Sequence, residues 1–230
     1  MNWWHWPGNP APARKIKRFG AIAAPALLAA VFWGGVPAAL AQQEAKSGRD
    51  YRLIGPLPTA SGGQIEVIEF FFYACPYCNE LQPLLEQWLK NKPADVAFRH
   101  LPVVRHESWV PLAKTFFVLE ALGELERLHQ QVYRSYHQEE MAMSNPESMA
   151  DWAQRQGIDR RKFVELYDSE PIRAKLAQAK EYTHTYDIHA TPSLVVDGKY
   201  LTSSGLTGGV PEVIPVLDHL VRLARRNRAR

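Results

Sequence analysis

The sequence predicts an α/β domain in which a small mixed sheet is interrupted by a long helical block. Three observations carry that expectation. A β-branched and aromatic run over 64–72 passes directly into a stretch with helical periodicity. The 88 residues between positions 104 and 193 read almost wholly as helix. Two apolar runs around an Asp-Gly turn then precede a last amphipathic segment.

Composition supports a folded domain. The chain has 230 residues, 46% hydrophobic and 22% charged, enough to bury a core and too apolar for disorder. With Cys75 and Cys78 as its two cysteines, it is no disulfide scaffold. The net charge of +3 is local. Four bases (Arg14, Lys15, Lys17, Arg18) and no acid fall within 1–41, which leaves 23 bases against 24 acids for the rest. Nucleic acid is therefore not an expected partner. The basic stretch precedes an uncharged run of 22 residues ending in Ala39-Leu40-Ala41, the small-x-small pattern of a cleavable export signal. An uncleaved anchor is the competing reading, since about 20 apolar residues can span a bilayer; Pro25, Gly34, Gly35 and Pro37 speak against a stable spanning helix.

Residues 42–63 are polar and rich in Gly and Pro, and read as an extended arm. The run 64–72 reads as a buried central strand. A helix is expected from Cys75, because Leu81, Leu84, Leu85, Trp88 and Leu89 recur at helical spacing, with a kink at Pro83. A second strand is expected over 96–104. Helices are then expected over 108–122, 124–137, 146–156, 159–167 and 172–186, separated by turn signals such as Gly123, Asn145-Pro146 and Gly157. The helical aromatics Phe116, Phe117, Tyr133 and Phe163 are assigned to a core of the block's own. The segment 193–201 reads as a hairpin, followed by a helix over 211–225. Five arginines within 222–230 read as a solvated helix end.

Cys75-Pro76-Tyr77-Cys78 stands where the first strand hands over to the first helix. Unpaired N–H groups and the helix dipole favour an anion there, which pushes a cysteine toward thiolate, the form that attacks disulfides. Two intervening residues let the second sulfur turn back to face the first. Pro76 suits the first helical turn. Cys75 is thus expected as the exposed nucleophile and Cys78 as the more buried resolving thiol. A structural disulfide across so short a loop would stabilise weakly. A zinc site would need two more ligands, and His100, His106 and His189 show no ligand-pair spacing, so no metal is expected.

Ile68-Glu69-Phe70-Phe71, then Cys-Pro-x-Cys, then a long helical block, then Ala190-Thr191-Pro192-Ser193 before a strand together resemble the DsbA family, periplasmic thiol:disulfide oxidases of the thioredoxin superfamily. The resemblance implies a thioredoxin-like fold over 64–104 and 187–230 with an inserted helical domain over 105–186. It implies a redox-active Cys75–Cys78 disulfide with no bound cofactor, reduced exported polypeptides as substrates, a DsbB-like quinone-linked membrane oxidase as recycling partner, a monomer, and a periplasmic location. It makes Thr191-Pro192 a substrate-binding loop with a cis proline, where the residues alone indicate only a turn or strand-start proline. Glu69 matches the family's acidic residue six positions before the first cysteine. As a lone carboxylate among apolar neighbours it is expected to have a raised pKa and to relay a proton for Cys78; an edge-exposed glutamate without chemical duty is the alternative. Tyr77 replaces the histidine of the best-known oxidases and cannot offer a cationic imidazole to the Cys75 thiolate, which at one pKa unit would lower the potential by about 30 mV. The expected activity is donation of the disulfide to newly secreted proteins. A reductase or isomerase of the same superfamily, or a groove-binding periplasmic chaperone, are the alternatives.

Overall fold

The computed structural model describes residues 44–229, and the export signal expected over 1–41 lies outside them. The polar arm is more than an extended segment. It contributes β1 (Arg52–Leu53), which pairs antiparallel with the edge of the later hairpin. Beyond β1, the Ile54 and Leu57 amides donate to the carbonyls of Lys199 and Gly198, each at 2.9 Å. Nothing in the local sequence favours a strand here; the unpaired edge of the hairpin supplies the partner. Close approach also explains a glycine. Gly198 has φ +61°, and a Cβ there would stand 2.3 Å from the Leu57 carbonyl oxygen.

The apolar run forms β2 (Ile65–Phe71), every residue of which is buried. It leads into α1 (Pro76–Lys90), which returns the chain to β3 (Val96–Pro102), parallel to β2 and in register so that Glu69 faces His100. This is a strand–helix–strand crossover, the usual way to join parallel neighbours. Pro83 is accommodated inside α1, which continues past the expected kink as one helix of 15 residues.

A single 3-10 turn at Glu107–Trp109 opens the helical stretch. Five helices follow: α2 (Val110–Ala121), α3 (Leu125–His137), α4 (Pro146–Arg155), α5 (Arg160–Tyr167) and α6 (Glu170–Thr185). Their starts obey local chemistry. Asn145 and Ser148 form a reciprocal capping box at α4, and Asp159 caps α5 through the Lys162 amide. The chain then enters the hairpin β4 (Ser193–Val196) and β5 (Tyr200–Ser203), whose turn residues Asp197 and Gly198 both have positive φ. A four-residue helix, α7 (Ser204–Thr207), precedes α8 (Val213–Arg228). The sheet order is β1-β5-β4-β2-β3, with β2 an interior strand between β4 and β3, and among the described residues only its β2–β3 pair is parallel.

Both faces of the sheet are covered, which is why β2 carries no solvent-facing position. Ile65 and Val67 pack with Leu81 and Leu85 of α1 and Leu217 and Leu220 of α8. Phe70 and Phe71, which point to opposite faces of β2, both join one continuous cluster with Phe116, Tyr133, Trp152 and Phe163. That corrects the expectation of a separate core for the helical aromatics: Phe71 meets Phe116 at 5.2 Å and Tyr133 at 6.3 Å between ring centroids. The helices pack onto the sheet because they alone can shield its large aromatics from water.

The arginine-rich end also differs from the solvated helix expected. Arg225 forms a two-pronged pair with Asp95, both contacts 2.7 Å. Arg228 binds the buried Asp197 and the carbonyls of Gly63 and Gln64. These contacts tie α8 to the sheet and carry it three residues past the expected end at 225. Planar guanidinium forks suit such paired recognition.

Candidate active site

Cys75 is the N-cap of α1, with extended backbone (φ −81°, ψ 120°) and Pro76 at the first helical position. The turn is therefore built as its residues anticipate: the chain leaves β2, stops at Cys75 and starts the helix on a residue that has no N–H to orphan. Cys75 is half-buried, Cys78 fully buried, and both are free thiols. The Cys75 thiol also reaches the Thr191 carbonyl oxygen at 3.2 Å.

The two sulfurs titrate in opposite directions. A hydrogen bond from the Cys78 thiol is the main cause that lowers Cys75 to about 6, against the opposing cost of burial. The Thr191 side chain and the backbone N–H groups of Cys78 and Tyr77 add to the lowering. The last two are the free donors of the helix's first turn. Cys78 is pushed well above the ordinary thiol value, first by burial, then by its bond to Cys75 and the charges of Cys75 and Glu69.

Glu69 is wholly buried on β2, which excludes the edge-exposed alternative. It is not the lone carboxylate expected. Its Oε2 meets His100 Nδ1 at 2.5 Å, and its Oε1 accepts from Gln82 Nε2 at 3.1 Å. Gln82 lies one turn beyond Cys78 on the buried face of α1, so the carboxylate is held beneath the resolving sulfur by side chains from both β3 and α1. Such bonds offset the desolvation that burial imposes.

The Thr191–Pro192 peptide bond is cis, and β4 starts at the next residue. The preceding loop is braced by Arg105, which donates to the His189 carbonyl at 2.9 Å, and by Ser193 Oγ on the Ala190 carbonyl at 2.8 Å. Thr191 is partly exposed beside Cys75, whereas Pro192 is buried. Pro76 and Tyr77 face solvent; Tyr77 is 58% exposed and borders a cleft shared with Glu80 and the α7 segment. Tyr77 has no hydrogen bond to either sulfur, and its contribution to Cys75 is its backbone N–H.

Gln82 and His129 escaped the sequence reading, while His100 and Tyr133 were named there without a place at this site. Gln82 is a polar residue at an apolar helical position, and that mismatch is the one signal that could have exposed it. His100 stands out only once the parallel register of β2 and β3 is known. His129 and Tyr133, one turn apart on α3, reach the back of the site from the helical block. His129 Nε2 and the Tyr133 hydroxyl are buried without a hydrogen-bond partner, while His129 Nδ1 meets the Tyr73 hydroxyl at 2.7 Å.

Residues 66–211 match the family model of the DSBA-like thioredoxin domain. The thiol:disulfide interchange protein DsbA of Burkholderia cepacia is 34% identical over 193 residues, covering 82% of this chain and 91% of that relative. The protein of the same name from Pseudomonas aeruginosa is 34% identical over 180 residues, covering 78% and 85%. Among solved structures, Pseudomonas aeruginosa DsbA superposes with a TM-score of 0.77 at 32% identity, over 81% of this chain and 97% of that one. The oxidoreductase DsbA of Xylella fastidiosa gives 0.74 at 26% identity, over 81% and 100%.

Proposed function

This chain belongs to the DSBA-like thioredoxin family, and from that premise we propose that it oxidises exported polypeptides by donating its Cys75–Cys78 disulfide to them. It is a thiol:disulfide oxidoreductase acting on polypeptide substrates. The direction of transfer is our reading, and the observation that carries it is the seat of Cys75 at the N-cap of α1, where the Cys78 thiol, Thr191 and two backbone N–H groups favour its thiolate and bring its pKa down to about 6. Stabilising that thiolate lowers the energy of the reduced pair and so makes the disulfide a stronger oxidant.

In the first step a substrate thiolate attacks Cys75 Sγ. The Cys75–Cys78 bond breaks, Cys78 leaves with the electron pair, and a mixed disulfide joins substrate to Cys75. The displaced Cys78 sulfur sits where burial strongly favours the thiol, so it takes up a proton. Glu69, held by His100 and Gln82, is the group we assign to that proton traffic. A second substrate thiolate then attacks the substrate's own sulfur, and Cys75 departs as the thiolate. The substrate loses two electrons and gains a disulfide; the enzyme's disulfide becomes a thiol and a thiolate. Thr191 is the backbone position against which an extended substrate would lie, a role favoured by its place next to Cys75.

We place the protein in the periplasm as a monomer, recycled by a DsbB-like quinone-linked membrane oxidase. The basic and apolar leader over 1–41 favours export. Among the described residues no helix is long and apolar enough to cross a membrane. The pair itself is the redox group, so the reaction needs no bound cofactor. Residues 50–57 are engaged with the hairpin edge, which leaves little of the arm for the dimerisation module an isomerase would use.

The test is to incubate the oxidised protein with a reduced multi-disulfide substrate and to measure the equilibrium of its cysteine pair against glutathione. Rapid substrate oxidation and a pair more oxidising than glutathione are expected. A pair that stays oxidised against a large excess of reduced glutathione would make the protein a reductase.

A further inference from the structure

Behind the cysteines lies a second cluster of reactive side chains. Glu69 on β2, His100 on β3 and His129 on α3 each place a donor atom within 4.8 Å of the other two. Glu69 is wholly buried and His129 is 7% exposed. Two imidazoles and a carboxylate are a donor set that holds zinc and other late first-row divalent ions.

One observation points to a ligand rather than to packing alone. His129 is held at Nδ1 by the Tyr73 hydroxyl, while its Nε2 is buried and has no partner. That is the arrangement of a ligating histidine, oriented through one nitrogen by an outer group and free to bind through the other. A buried polar nitrogen left unpaired is otherwise costly. The 2.5 Å contact between His100 Nδ1 and Glu69 Oε2 keeps the other two donors side by side.

We propose that Glu69, His100 and His129 form a site for a divalent late transition-metal ion, Zn²⁺ foremost, whose occupation slows disulfide exchange by withdrawing Glu69 from Cys78. The ion takes the place of the proton shared by Glu69 and His100, and that proton is released; no electron is transferred. Donors on a tetrahedral zinc stand about 3.3 Å apart, so the Glu69–His100 contact, now 2.5 Å, opens a little, while no pair, all lying within 4.8 Å, has to close by more than about 1.5 Å. His100, whose side chain is 16% exposed, offers the route from solvent. The effect on exchange rests on the relay role proposed for Glu69; the site itself does not.

The experiment uses the oxidised protein, in which both sulfurs are engaged with each other and cannot bind metal. Titration with Co²⁺ should give visible ligand-field absorption that saturates at one ion per chain and is displaced by Zn²⁺. His129→Phe and His100→Gln should each weaken binding by at least about tenfold. The phenyl ring suits its pocket, since His129 already packs edge-on against Phe71, Phe116 and Tyr133. The more exposed His100→Gln provides an independent variant should His129→Phe fold poorly. At buffered free Zn²⁺, exchange by the unsubstituted protein should slow severalfold relative to its own zinc-free rate, whereas His129→Phe should keep its own zinc-free rate, whatever that rate is; zinc bound by substrate thiols slows both alike. No stoichiometric uptake, or uptake indifferent to both substitutions, overturns the site. Uptake without a difference in slowing overturns the coupling to Cys78. Loss of exchange with or without zinc would instead fault the oxidoreductase reading.

Discussion

Cys75 and Cys78 are one helical turn apart, yet they occupy two different solvents. The outer sulfur sits at the mouth of α1 among donors: the Cys78 thiol, the Thr191 side chain and two backbone N–H groups. The inner sulfur lies in a dry pocket above a carboxylate. Identical side chains therefore differ in charge near neutrality, the outer one a thiolate and the inner one a thiol. The lesson is that the motif supplies two equal groups and their surroundings make them unequal. A nucleophile and leaving group on one side and a proton-holding partner on the other follow from that difference alone.

The comparison can be broken most severely at the outer sulfur. Cys75→Ser should bring substrate oxidation down to the uncatalysed rate, measured as disulfide formation in a reduced substrate; retention of catalysis would show that the outer region is not where transfer occurs. Cys78→Ser should instead leave a Cys75 thiolate that accumulates as a mixed disulfide, visible as a substrate-sized mass increase on a non-reducing gel. Next in size is the inner pocket. Glu69→Gln keeps the shape of the carboxylate and the bond from Gln82 but removes its charge and turns the atom facing His100 into a donor, and should slow the step that protonates or deprotonates Cys78 by about 10²-fold. The control is Cys75 alkylation, which should keep its rate; a parallel fall in both would mean that the two regions are not separable.

A pH series sharpens the contrast. Alkylation of reduced Cys75 by iodoacetamide should rise with pH, be half-maximal near pH 6 and level off above it, with Cys78 unreactive across the same range. The linked stability has a definite sign. Because the native Cys75 thiol ionises near 6 rather than at the ordinary value of 9.0, the native reduced protein holds fewer protons than the unfolded chain between those limits. Its contribution to stability is full above pH 9 and is lost as pH falls through 6. Cys75→Ser should flatten that part of the profile in denaturant titrations. The smallest effect is expected from Tyr77→His. A cationic imidazole beside the thiolate should lower the alkylation midpoint further and raise the potential against glutathione by about 30 mV per unit. An unchanged potential would mean that the exposed side chain at this position does not sense the sulfur.

Much of this was legible in residue order. The density of β-branched and aromatic residues over 64–72, the Cys-Pro start of α1, the caps at Asn145 and Asp159 and the Asp-Gly turn are local signals, and local structure follows them. Where reading failed, the cause was always a partner distant in sequence. β1 exists because β5 offers an edge to it. Arg225 and Arg228 look like a solvated tail until Asp95 and Asp197 are brought beside them. The helical aromatics read as a separate core because their contacts with Phe70 and Phe71 span more than forty positions of chain.

The sequence by itself determined where a thiolate would form, because a helix's first turn carries its unpaired donors wherever Cys-Pro begins it. It also marked 64–72 as a buried strand through its β-branched and aromatic density, while Glu66 and Glu69 left the covering of both faces to the packing. Only the tertiary structure decided what surrounds Glu69. His100 reaches it through strand register, Gln82 through helix packing, and His129 through the seating of the helical block. Spacing along a chain limits which groups can meet within one element, whereas the neighbours of a buried charge are chosen by the way separate elements pack.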